Sequence, residues 1–103
     1  MENPSTEIIS QRDLEFVSKT GKESVKVYLE KPAKDNDGVW FCPYSINSKS
    51  FSKRFHAYGE DSMQALILAL KTIPIELDVL AKKRKGHFTW FDQEDIGFPF
   101  IVE

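Results

Sequence analysis

The sequence predicts an α+β domain: a four-stranded antiparallel meander packed against one long, proline-kinked helix, with an aromatic C-terminal segment covering that helix. Three observations carry this. Apolar and polar residues alternate through the first sixty positions, in segments parted by turn chemistry. At Gly59 the period changes, and Glu60-Asp61-Ser62-Met63-Gln64 leads into Ala65-Leu66-Ile67-Leu68-Ala69-Leu70. After Gly86 the chain carries Phe88, Trp90, Phe91, Phe98 and Phe100, followed by Ile101 and Val102. With 103 residues, 41% hydrophobic and 29% charged, one core is possible and two are not. Residues 1–103 therefore read as one domain, with 1–6 expected to be flexible, 7–58 sheet, 61–85 helix and 87–103 an aromatic tail.

The strands follow in order. Ile8, Leu14 and Phe16, then Val25, Val27 and Leu29 after Lys19-Thr20-Gly21-Lys22, recur at even spacing and predict a hairpin. Lys31 to Gly38 is a loop by composition. Trp40, Cys42, Tyr44 and Ile46 then alternate with Val39, Phe41 and Pro43, and Pro43 suits an edge, a bulge or a strand end because it has no N–H. Asn47-Ser48-Lys49-Ser50 turns the chain into Phe51, Phe55 and Ala57, set against Arg54, His56 and Tyr58. Every connection is too short for a parallel crossover, so the pairing is antiparallel.

The helix begins with a capping box, Asp61 accepting from first-turn amides and Gln64 reaching back. At about 100° per residue, Met63, Leu66, Leu70, Ile73, Leu77 and Leu80 form one stripe, expected to cover the sheet. Leu68, Thr72, Ile75 and Val79 form a second stripe on nearly the opposite side, and something should cover them too. The two candidates are the aromatic tail, with Trp90 and Phe91, and a second subunit. Pro74 removes one helical hydrogen bond and crowds the Leu70 carbonyl, which predicts a kink. Lys82-Lys83-Arg84-Lys85 complements the negative helix terminus, and Gly86 suits a left-handed cap.

Chemistry-bearing patterns are sparse. The single cysteine, Cys42, cannot form an internal disulfide, so a reducing, cytoplasmic setting is expected. Cys42, His56 and His87 are too few for a structural zinc site and lack ligand spacing, and neither metal nor cofactor is expected. A Cys42 and His56 dyad on neighbouring strands is the one nucleophile and base arrangement available, against the plainer reading of a packed cysteine. Asp35-Asn36-Asp37-Gly38 resembles the start of a calcium loop without its distal acid, and a turn explains it. Tyr28, Arg54, His56 and Tyr58 share one sheet face and offer rings and cations to single-stranded bases, or simply form ordinary cross-strand pairs. A net charge of −2 attracts neither nucleic acid nor anionic membrane, and no apolar run reaches the roughly 18 residues of a membrane span.

Trp40-Phe41-Cys42-Pro43-Tyr44-Ser45-Ile46, a strand ending at Gly59, Glu60 to Leu66 with Leu68-Ala69-Leu70, and a tryptophan with Gly97-Phe98-Pro99 downstream form a combination. It resembles the small bacterial proteins of domain of unknown function 6968. The resemblance covers the chain from roughly the second strand to the tail, and implies a bacterial origin and a compact strand-rich domain with one principal helix. It implies no catalytic residue. The layout of strands, glycine, acidic cap and Ala- and Leu-rich helix is also similar, more distantly, to HicB-type antitoxin domains, although their glycine- and proline-rich strand signature is missing.

The functional expectation is a non-enzymatic protein-interaction module. Its partner is itself, as a homodimer, or another protein, and its contact surface comprises Leu68, Thr72, Ile75, Val79, Trp90 and Phe91. Two alternatives stand beside it: an immunity or antitoxin-like protein binding a basic toxin, and a small hydrolase or ligand-binding protein using His56 and Cys42.

Overall fold

A computed structural model describes residues 7–99. The expectations for residues 1–6, and for Phe100, Ile101 and Val102 of the tail, lie outside the described residues. The elements run β1 (Ile8–Ser18), β2 (Gly21–Glu30), β3 (Ala33–Lys34), β4 (Trp40–Ser48), β5 (Ser52–Gly59), α1 (Ser62–Lys83) and β6 (Gly86–Thr89). All pairings are antiparallel.

The predicted meander is present as β1, β2, β4 and β5, but among the described residues the sheet has six strands rather than four. Tyr44 pairs with Leu29 on one edge and Phe55 on the other, and Phe41 likewise bridges Ala33 and Tyr58. Thus β3 continues the line of β2 along the same edge of β4. Lys31 and Pro32 interrupt that line, because proline has no N–H to give the ladder. The sixth strand, β6, adds to the free edge of β1, pairing Phe16 with Phe88 and Ser18 with Gly86. Only four residues long, it was hidden in the sequence by the aromatic content of the tail.

One sheet face carries the core. Leu14, Phe16, Val25, Val27, Leu29, Cys42, Tyr44 and Ile46 point toward α1, which answers with Ala65, Ala69, Ile73 and Leu77. The buried helix face is therefore rotated from the predicted stripe, and Met63 is 67% exposed. The cause is a run of small residues. A Cβ at Gly59 would lie 2.5 Å from the Ala65 nitrogen, so glycine and the two alanines bring the first turns of the helix onto the sheet. A periodicity count weighted to large side chains misses them.

The helix ends are built as follows. Asp61 Oδ1 accepts from the Gln64 amide at 2.8 Å, and Gln64 Oε1 accepts from the Glu60 amide at 2.6 Å. Helix α1 is uninterrupted through Pro74. At the other end Lys85, not Gly86, takes the left-handed conformation, with φ 57°. Gly86 is required for space: a Cβ there would meet the Val17 carbonyl oxygen at 2.4 Å and the Phe16 ring at 2.5 Å.

Candidate interaction surface

The second stripe of α1 lies in the open. Leu68, Ile75 and Val79 are 38%, 52% and 54% exposed. Thr72 donates its hydroxyl to the Leu68 carbonyl at 2.7 Å, so its polar atom is satisfied within the helix. Lys71 and Asp78 flank this stripe on one side, and Asp78 also accepts from Lys82 at 3.1 Å.

The described part of the tail does not cover the stripe, contrary to one of the two expectations. Arg12 on β1 draws it elsewhere. The Arg12 Nη1 donates to the carbonyls of Ile96 and Gly97 at 3.1 and 2.8 Å, and its guanidinium lies 4.0 Å from the Trp90 ring centre and 4.9 Å from that of Phe98. Phe98 is thereby buried in the core. Gly97, at φ 76°, fits because a Cβ would strike Trp90 and Arg12. The tail thus runs beside the helix and leaves an open groove of about 720 Å³ between them, with Leu77, Ala81, Phe88, Ile96 and Phe98 among its apolar lining. Asp78, Glu94 and Asp95 put acid on its walls, against Lys71 and His87.

Trp90 and Phe91, grouped together by the sequence, have separate fates. Trp90 and Gln93 exchange two backbone hydrogen bonds of 2.9 Å around a tight turn, with Phe91 and Asp92 at φ 51° and 64°. The turn leaves Phe91 78% exposed while Trp90 is held under Arg12.

On the sheet face away from the helix, strand pairing brings Tyr28, Ser45 and Arg54 into one row, with His56 and Tyr58 beside them on β5. Arg54 is not free there. It grips the buried Glu30 carboxylate with two bonds, Nη2 to Oε1 at 2.8 Å and Nε to Oε2 at 3.1 Å. His56 lies 4.9 Å from the Phe41 ring, and its pKa is lowered first by burial and then by the Arg54 charge. Glu30, the residue that neutralises this face, is 24 positions from Arg54 and carries no sequence signal of the pairing.

The Cys42 and His56 dyad does not form. Cys42 pairs with Ala57 and faces the helix, whereas His56 pairs with Pro43 and faces away. Burial pushes the Cys42 thiol up to about 11, and it donates weakly to the Glu30 carbonyl at 3.4 Å. Among the described residues no three His, Cys, Asp or Glu side chains converge to hold a metal. Asp35 Oδ1 accepts from the amides of Asp37 and Val39, each at 2.9 Å, closing the expected turn with Gly38 at φ 78°. The basic run after Lys82 also has structural work in part: Arg84 contacts Ser50 and lies 4.8 Å from the Phe51 ring centre.

A strand-rich sheet, one capped helix packed through Gly59 and Ala65, and a tail closed through Trp90 and Gly97 are the features on which the family resemblance rests. The family model of DUF6968, a domain of unknown function, matches residues 10–100. The chain belongs to the DUF6968 family. That match begins inside β1 and runs through the tail, including every residue of the candidate surface. No curated protein and no solved structure matches this DUF6968 chain, and the layout similarity to HicB-type domains gains no support. No helix among its described residues is long and apolar enough to cross a membrane.

Proposed function

We propose that this DUF6968 domain is a non-enzymatic interaction module that works by burying the outer face of α1 against another protein surface. The observation that carries the reading is the exposure of Leu68, Ile75 and Val79 in a single stripe on a helix whose other face already forms the core. Exposed apolar surface arranged in one contiguous patch marks a contact site, and the Thr72 hydroxyl is already satisfied, so burial of this stripe strands no polar atom. A cytoplasmic protein with no cofactor is the setting in which such a module operates.

A photo-cross-linking amino acid placed at Ile75, compared with the same group at exposed Gln11 on the opposite sheet face, tests this in cells. Adducts from position 75 and not from 11 are expected. Equal labelling at both, or none at 75, overturns the reading. The acidic residues along the groove, Asp78, Glu94 and Asp95, favour a second reading in which a basic protein such as a toxin is the partner. In that case the position-75 adduct has the mass of a foreign basic chain.

A further inference from the structure

We infer that the outer face of α1 pairs with the same face of a second copy, the two helices running antiparallel about a two-fold axis level with Ile73 and Pro74. This rests on the interaction reading above and names its partner. Leu68, Thr72, Ile75 and Val79 are spaced four, three and four residues apart, which is the spacing of a two-helix seam. Antiparallel superposition sets Leu68 against Val79 of the partner subunit and Thr72 against Ile75 of the partner subunit, and the symmetry repeats each contact.

The charges then match themselves. Lys71 and Asp78 project from the same flank of the stripe and both are exposed. In the antiparallel pair Lys71 falls opposite the partner's Asp78, and Asp78 opposite the partner's Lys71. On the other flank Ala69 is buried against the sheet, so Glu76 faces no second acid there.

The helix ends decide the direction. Glu60 and Asp61 precede α1, and Lys82, Lys83, Arg84 and Lys85 close it. An antiparallel pair lays each basic end beside the partner's acidic start and opposes the two macrodipoles. A parallel pair also matches Lys71 with the partner's Glu76, but it puts Lys82 in the seam against the partner's Lys82, with three more cations alongside on each chain. Like charges at that density oppose assembly.

The test uses the full chain. Light scattering is expected to give twice 11.9 kDa. Lys71→Asp should weaken the dimer roughly tenfold, and Lys71→Asp with Asp78→Lys should restore it. Both residues are exposed, so circular dichroism should show every variant folded. Leu68→Cys and Val79→Cys proteins are then treated with oxidised glutathione, separately and mixed. Disulfide-linked dimers only in the mixture are expected, and the parent controls for Cys42. Covalent dimers from each variant alone would show a parallel pair and overturn the geometry. A parent of 11.9 kDa, or position-75 adducts with foreign proteins only, would overturn self-pairing while leaving the module reading intact.

Discussion

Helix α1 has two apolar faces with opposite fates. The inner one, Ala65, Ala69, Ile73 and Leu77, is buried, whereas Leu68, Ile75 and Val79 on the outer one are exposed. The inner face has alanines at two of its four buried positions, with Leu66, Leu70 and Leu80 packed against the core beside them. What separates the two faces is shape. Gly59 and the alanines permit close approach of helix and sheet on the inner side. The outer face keeps its larger side chains uncovered among the described residues.

The largest expected effect contrasts the two faces directly. Ile73→Ala removes a side chain that is 1% exposed and should cost about 2–5 kcal/mol in urea unfolding. Ile75→Ala, two residues on, should stay within about 0.5 kcal/mol when measured at dilutions where the chain is monomeric. Comparable losses in both would mean that the outer face is covered within the chain, which would also weaken the interaction reading. A second, smaller effect isolates the packing argument. Gly59→Ala forces a methyl against the Ala65 backbone and should destabilise by roughly 1–3 kcal/mol, since backbone atoms cannot swing aside. A neutral Gly59→Ala would mean that the close approach is not what orients the helix.

The legibility of the sequence followed the range of the interactions. The capping box, the hairpins and the Asp35 turn are closed by residues a few positions apart, and they could be read directly. The strand β6 and the course of the tail could not, because both depend on contacts that span the chain. Arg12 meets Ile96 and Gly97 across 84 and 85 positions, and no local pattern announces that an arginine on the first strand will hold the last segment. The candidate surface divides the same way. Leu68, Ile75 and Val79 were legible as a stripe from their spacing, but whether the tail would cover them was a long-range question. Trp90 and Phe91, adjacent and chemically alike, were separated by a turn whose two left-handed residues carry no glycine. The sequence pattern of the sheet-face group fits both a binding face and ordinary cross-strand pairs, and only the fold places the buried Glu30 beneath Arg54.

The end of the helix offers the mildest test of how the inner face is held in place. Glu23 on β2 accepts from the Ser48 hydroxyl, from the Ser50 amide at 3.0 Å and from the Ser50 hydroxyl at 2.6 Å, and Arg84 reaches the same serine from the end of α1. These bonds, the Ser48 hydroxyl foremost, lower the Glu23 pKa from 4.5 to about 2. The group is depressed in the folded state, so the unfolded chain takes up its proton first as the solution is acidified. The stabilisation is therefore complete above 4.5 and is lost as pH falls from there to about 2. Glu23→Gln should flatten that part of the stability profile, with little change in the stripe at Ile75 or in self-association at neutral pH. An unaltered acid profile in Glu23→Gln would place the acid sensitivity elsewhere, and would show that the turn between β4 and β5 is fixed under the helix by Arg84 and Phe51 without the carboxylate.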